Sequence, residues 1–143
     1  MSLTKDIESL LPHRKTIFLG LIIFISADEK GSVSEHTFTE DEFFFKGHFP
    51  EYPVVPGVIL VETMAQAGGA ALSYQKTFEE GSLFFLATVD SVKFRNQVRP
   101  NDKVRMEITN LRVSSKMVKQ SGKAYVGETL CAEATWMCLV GNA

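Results

Sequence analysis

The stretch GVILVETMAQAGGAAL, from Gly57 to Leu72, decides the fold of this chain. Only Glu62, Thr63 and Gln66 in it are polar, so a helix formed here is apolar on nearly every side. Such a helix must be enclosed, by its own sheet or by a partner subunit. The sequence therefore predicts one long, buried helix at the centre of the fold.

Shorter elements are predicted on both sides of this helix. Residues of about 4–10 are expected to form a helix and about 16–27 a strand, and the turn Asp28-Glu29-Lys30-Gly31 closes a hairpin onto a strand at about 32–39. After the helix the sequence predicts strands at about 82–89, 91–98, 103–113, 115–127 and 129–140. One helix against a mostly antiparallel sheet is an α+β architecture, and because no linker or repeat divides the chain, a single domain over residues 1–143 is expected.

Composition narrows the classes of function. A net charge of -2 and a pI near 5.9 give no general attraction to nucleic acid or to an anionic membrane surface. The longest apolar run, residues 17–25, is well short of the roughly 20 residues that a membrane-spanning helix needs. The first residues lack the features of a secretory signal, so a cytoplasmic protein is expected.

Glu62 is the most informative residue of the helix. A carboxylate on an apolar helix is costly to bury unless it is partnered or protonated, and burial would raise its pKa towards the range of a general acid. Gln66, one turn further on, is placed to hydrogen-bond this carboxylate. The same two residues also suit an ordinary pair on a helix surface, so the helix alone leaves both interpretations open.

The start of the helix offers free hydrogen-bond donors. Pro56 suits the first helical position, and no Ser, Thr, Asp or Asn at 53–55 caps the N–H groups of Gly57 and Val58. These donors and the positive end of the helix dipole suit a carbonyl oxygen that gains negative charge, and Gly57 permits its close approach. Water is the alternative partner for the same groups.

His48 lies in the stiff loop that leads into the helix. A glycine and three prolines keep residues 41–56 out of any regular element. A lone histidine in a loop is often structural or solvated. His48, however, stands eight residues before Pro56, so a base, an oxyanion donor and an acid would lie within one short stretch.

The segment FKGHFPEYPVVPGVILVETMAQ, residues 45–66, closely resembles the signature of bacterial (3R)-hydroxyacyl-acyl carrier protein (ACP) dehydratases of the FabZ type. LPHR at 11–14 and VKFR at 92–95 also resemble family motifs, in the expected order, and the resemblance spans nearly the whole chain. It implies a hot-dog fold, a long helix wrapped by an antiparallel sheet, in homodimers that often assemble as trimers of dimers. It also implies that no cofactor is needed and that ACP presents the acyl substrate.

The same resemblance implies a role for each residue of the signature. His48 would remove the proton beside the thioester carbonyl, and Glu62 of the partner subunit would protonate the departing hydroxyl. The Gly57 N–H would polarise the carbonyl, the Val54 carbonyl would orient His48, and Gln66 would support Glu62. Since related FabA-type enzymes carry aspartate at the acid position, Glu62 implies dehydration without isomerisation. The chain shows no HExxH, GxSxG or glycine-rich phosphate loop, so no metal, nicotinamide or covalent nucleophile is expected.

Selectivity and carrier docking are less determined by the sequence. Phe85 stands where the family has a tyrosine that gates the acyl tunnel, which leaves the preferred chain length open. Lys93, Arg95 and Arg99 occupy i, i+2 and i+6 in the predicted strand at 91–98 and the turn after it, so they are expected to share one face. That face would dock an acidic carrier, although such charges also suit a solvated edge strand.

Two rival functions use the same fold. A hot-dog thioesterase would hydrolyse the same kind of thioester, and a non-catalytic subunit would bind acyl chains without turnover. The spacing of His48 and Glu62 argues against the first, and the presence of both residues argues against the second.

Overall fold

The computed structural model describes residues 3–5, 22–45, 51–75, 77–78 and 82–142. Within these ranges the strands form one seven-stranded antiparallel sheet in the order β1-β2-β3-β5-β6-β7-β4. A single 3-10 turn at Phe43–Phe45 precedes the one long helix of the described residues. The elements are β1 (Leu3–Lys5), β2 (Ile22–Asp28), β3 (Gly31–Thr37), α1 (Gly57–Tyr74), β4 (Ser82–Phe94), β5 (Lys103–Val113), β6 (Met117–Val126) and β7 (Thr129–Asn142).

Helix α1 packs against the sheet along most of its length. Its buried face includes Met64, which lies in one hydrophobic core with the fully buried Trp136 of β7. A Cβ on Gly122 of β6 would lie 2.6 Å from the Trp136 ring and 3.0 Å from Met64 Sδ, so this glycine lets helix and sheet approach closely. No helix in the described part of the chain has the length and apolar character needed to cross a membrane.

A buried polar network also joins the helix to the sheet. Gln120 of β6 donates to the Gly68 carbonyl of α1 at 3.4 Å and to Asn110 Oδ1 at 2.8 Å. The same side chain accepts a hydrogen bond from Trp136 Nε1 at 3.2 Å. Because an unpaired amide is costly in the interior, these bonds fix the height of α1 over the sheet.

The predicted α+β class is confirmed, and most element bounds agree with the sequence analysis. The helix extends two residues beyond the predicted end, and β5 has the predicted bounds. The predicted helix at about 4–10 is wrong where the chain is described, because Leu3–Lys5 pairs with β2 as a strand. The rest of that segment, and residues 16–21 of the predicted first long strand, lie outside the described residues.

The strands predicted at 82–89 and 91–98 form one continuous strand, β4, which ends at Phe94. It pairs with β7 through two irregularities, at Leu86/Thr88 and at Asp90/Lys93, and Ser91 there has a φ of 51°. Bulges of this kind insert extra residues without ending the strand. Since β4 pairs on one side only, it is an edge of the described sheet.

Candidate active site

The first turn of α1 carries donors without a capping side chain. Pro56 occupies the N-cap position and makes no side-chain cap. Its carbonyl accepts hydrogen bonds from Ile59 N at 2.9 Å and Leu60 N at 3.3 Å. Among the described residues, nothing accepts a hydrogen bond from the N–H groups of Gly57 and Val58. These two donors can therefore meet an oxygen that gains charge during a reaction.

An aromatic ring lies against the start of the helix. A Cβ on Gly57 would lie 2.6 Å from Cε1 of Phe94, at the end of β4, so the ring occupies the space beside the glycine. The sequence predicts that a substrate carbonyl approaches Gly57 here, and the Phe94 ring at this place is revealed only by the tertiary structure. The Phe94 side chain is 54% exposed and forms one wall beside the free N–H groups.

Glu62 and Gln66 interact as their spacing predicts. Gln66 Nε2 donates to Glu62 Oε1 at 3.2 Å, and the Gln66 side chain is buried. Glu62 itself is only partly buried, on the same stripe of the helix as Val58, which is 71% exposed, and the partly buried Ala65. The expected enclosure of the helix is thus incomplete in a single chain, and this stripe is its least covered side.

Cys138 of β7 lies close to Glu62. Burial and, as a smaller effect, the negative charge of Glu62 raise the pKa of the Cys138 thiol to about 11. Leu86 of β4 is the strand partner of Cys138. The carboxylate of Glu62 therefore has a neutral thiol in its surroundings, a feature that only the tertiary structure reveals.

Phe85 lies on the side of β4 that faces away from the helix. Its neighbour Phe84 contacts the helix instead, because a Cβ on Gly69 of α1 would lie 3.5 Å from the Phe84 ring. Successive strand residues point to opposite faces, and the Phe85 ring leans towards Gly141 of β7, with 54% of the residue exposed. The gating role of Phe85 stays a prediction, and of these two neighbours it is Phe84 whose ring borders the helix.

The three cations predicted to share one face have different surroundings in the structure. Lys93 is exposed near the end of β4, but Arg95 follows that strand and forms a salt bridge with Glu133 at 3.1 Å. Arg99 lies in the loop beyond, and its guanidinium is 3.8 Å from the centre of the Tyr52 ring. The strand ends at Phe94, before two of the three residues, so strand alternation does not place them together, and their shared face and docking role stay predictions.

Two further residues of the predicted site depend on the loop before the helix. His48 lies outside the described residues, so its position and its contact with the Val54 carbonyl stay predictions. Val54 is buried, and Val55 N donates to the Val98 carbonyl at 2.7 Å, which fixes the end of the loop against the segment after β4. Within the described ranges, no three His, Cys, Asp or Glu side chains lie together as a metal site requires.

Comparison with known proteins identifies close sequence relatives. The family model described as a FabA-like domain matches residues 11–135. The 3-hydroxyacyl-[acyl-carrier-protein] dehydratase FabZ of Koribacter versatilis is 39% identical over 94% of this chain and 86% of its own length. The enzyme of the same name from Clostridium kluyveri is 36% identical over 96% of this chain and 95% of its own length.

Solved structures share the fold at much lower identity. The dehydratase heterocomplex ApeI:P from Xenorhabdus doucetiae superposes with a TM-score of 0.81 at 16% identity, over 96% of this chain and 92% of the other. A hypothetical thioesterase with coenzyme A from Streptococcus pneumoniae superposes with a TM-score of 0.60 at 10% identity, over 85% of this chain and 89% of the other. These likenesses confirm the expected hot-dog fold.

Proposed function

The chain belongs to the family of FabA-like domains, and from this premise we propose that it is a 3-hydroxyacyl-ACP dehydratase. It removes water from (3R)-3-hydroxyacyl-ACP to give trans-2-enoyl-ACP. The observation that carries the proposal is the Glu62–Gln66 pair, held on the uncovered stripe of a helix whose first N–H groups have no acceptor in the described part of the chain. This arrangement supplies an oriented carboxyl group and oxyanion donors on one element.

The proposed reaction moves one proton to His48 and one from Glu62. His48 takes a proton from the carbon beside the thioester carbonyl, and the electron pair shifts onto the carbonyl oxygen, where the Gly57 and Val58 N–H groups stabilise it. The enolate then collapses to form the carbon–carbon double bond and break the carbon–oxygen bond at the 3-position. Glu62 protonates the departing hydroxyl, and water leaves. Solvent returns His48 and Glu62 to their starting states.

A second copy of the chain completes the proposed site. The stripe that carries Glu62 is uncovered in one chain, and the edge strand β4 beside it exposes the apolar residues Phe85, Leu86 and Val89. Long apolar edges of this kind are covered by pairing in stable proteins. A two-fold dimer that joins two β4 strands would cover both features at once, and would bring Glu62 of one chain towards His48 of the other.

ACP is the proposed carrier of the substrate. The exposed Lys93 and the Arg95–Glu133 pair lie at the end of β4 that is next to the helix start, where an acidic carrier would approach. Arg99 stacks on Tyr52 and lines a cavity beside the loop that leads into α1. Assembly of dimers into a hexamer and a cytoplasmic location follow from the family resemblance and the sequence, and both stay predictions.

The mass of the product decides between dehydration and the rival thioesterase activity. Purified protein is incubated with 3-hydroxyacyl-ACPs of graded chain length, and the intact carrier is weighed by mass spectrometry. Dehydration leaves the acyl chain attached and removes the mass of one water. Release of a free hydroxy acid with unloaded carrier would contradict the proposal and favour a thioesterase. An unchanged carrier at every chain length would favour a non-catalytic subunit.

A further inference from the structure

A cavity of about 380 Å³ opens beside the loop that leads into α1. Its walls come from that loop, through Tyr52, from the segment after β4, through Arg99, and from the β6–β7 turn, through Thr129. The amide side chains of Asn96 and Gln97 also line it. None of the described residues that line it is acidic, and Arg99 is the one cation among them.

Arg99 is held in place by an aromatic ring. Its guanidinium carbon stacks 3.8 Å from the centre of the Tyr52 ring, and its Nε atom is buried with no hydrogen-bond partner. Arg95 and Arg105, by contrast, are paired with Glu133 and Glu107. No carboxylate among the described residues forms a salt bridge with Arg99.

The nearest acid on the same segment is occupied elsewhere. Asp102 Oδ2 accepts a hydrogen bond from the backbone N–H of Arg99 at 2.8 Å, which directs that oxygen to the main chain. The Cys131 thiol lining the cavity has a raised pKa, first because it is buried and to a lesser degree because of the charge on Asp102. The thiol therefore stays neutral near pH 7. A stacked arginine with polar neighbours and no salt-bridge partner among the described residues is a typical arrangement for binding an anionic oxygen group.

The cavity lies near the proposed reaction centre. Tyr52 precedes Gly57 by five residues, so the two lie at most about 18 Å apart along the chain. The bond from Val55 N to the Val98 carbonyl joins the same loop to the segment that carries Arg99. A ligand with a phosphate at one end and a thioester at the other could place the first at Arg99 and the second at the helix start.

We propose that this cavity binds the phosphate of the phosphopantetheine arm through which the carrier presents its acyl thioester. The inference rests on the proposed function, since it takes the substrate to be attached to a carrier. Arg99 supplies the charge, and Tyr52 holds the guanidinium in position before the ligand arrives. Arg99 is then a specificity residue for the arm.

Two thioesters that differ only in the phosphate test the assignment. The 3-hydroxyacyl thioesters of phosphopantetheine and of pantetheine are compared, and the ratio of their kcat/KM values is measured. Arg99→Gln should lower this ratio by about tenfold to a hundredfold, the expected loss for one charge-assisted contact. Arg105→Gln is the matched control, because Arg105 also stacks on a tyrosine but is paired with Glu107 and lies outside the cavity. Its ratio should equal that of the wild type.

Direct binding separates failure of this inference from failure of the proposed function. Free phosphopantetheine, pantetheine and inorganic phosphate are titrated into wild type and Arg99→Gln by calorimetry, which needs no turnover. Tighter binding of phosphopantetheine than of either other probe, lost in Arg99→Gln, supports the inference even if neither thioester is dehydrated. Equal binding of phosphopantetheine and pantetheine would overturn it. Inorganic phosphate binding as tightly as phosphopantetheine would instead assign the cavity to free phosphate.

Discussion

The surroundings of Glu62 determine what its carboxyl group can do. Gln66 holds one carboxylate oxygen, and the Cys138 thiol lies close enough to sense the charge. The i, i+4 spacing predicted the first contact from the sequence alone, because it is local to one helix. The second interaction acts between α1 and β7 and depends on how the helix lies on the sheet, which no local pattern encodes.

The thiol of Cys138 is expected to report the charge on Glu62. Because that charge helps to raise the Cys138 pKa to about 11, Glu62→Gln should lower the pKa of this thiol. Thiolate absorbance in the ultraviolet, followed against pH in a Cys131→Ala background, measures it. An unchanged pKa in Glu62→Gln would contradict the placement of the two side chains.

The same shift has a consequence for stability. The folded-state pKa of about 11 lies above the ordinary value of 9.0, so the folded protein holds the thiol proton more tightly than the unfolded chain. The Cys138 contribution to the free energy of unfolding is complete below pH 9.0 and is lost as the pH rises through about 11. Glu62→Gln should reduce that loss.

Gly57 is required, on this account, by the ring of Phe94. A Cβ at position 57 would lie 2.6 Å from the outer edge of that half-exposed ring, so in Gly57→Ala the ring must turn aside, at a cost of about 0.5–1.5 kcal/mol for leaving its rotamer. In a Phe94→Ala background the same substitution should cost almost nothing, because the obstructing ring is gone. Urea unfolding of the four proteins in this cycle measures the coupling. Equal costs of Gly57→Ala in both backgrounds would show that Phe94 is not the reason for the glycine.

The edge strand β4 carries the proposed dimer contact. Val89, on β4, is 40% exposed, and Val113, on the interior strand β5, is 38% exposed. Val89→Lys should weaken self-association, since it places a charge on the pairing edge of both subunits, whereas Val113→Lys should leave it unchanged. Sedimentation equilibrium over a range of protein concentrations gives the dissociation constants. Similar constants for the two variants would exclude β4 as the dimer contact.

The elements also show where prediction from the sequence fails. Helix α1 could be predicted because its apolar run is long and begins at a proline. The predicted strands at 82–89 and 91–98 leave a break at Asp90. Here the chain forms a bulge within β4 instead, because β7 continues to pair with the residues on both sides. Arg95 N and Asn96 N both donate to the Cys131 carbonyl, at 2.7 and 3.2 Å, and there the strand geometry ends. The alternation assumed for Lys93, Arg95 and Arg99 depends on a regular strand and therefore does not apply.

The proposed dimer would contain two equivalent sites. Each site would take His48 and the free helix donors from one chain and Glu62 from the other. The uncovered stripe of α1 and the apolar edge of β4 belong to one continuous side of the chain, since Phe94 and Phe84 of β4 both contact the helix.

Subunit mixing tests the shared site most directly. His48→Ala and Glu62→Gln should each lower turnover by a factor on the order of 10²–10⁴ in a folded homodimer. An equimolar mixture is unfolded and refolded so that about half the dimers contain one chain of each kind. If each site is shared, a mixed dimer has one doubly defective site and one intact site, and activity returns to roughly a quarter of wild type. No recovery of activity, with chain exchange confirmed by mass spectrometry, would contradict the shared site and show that both groups come from one chain.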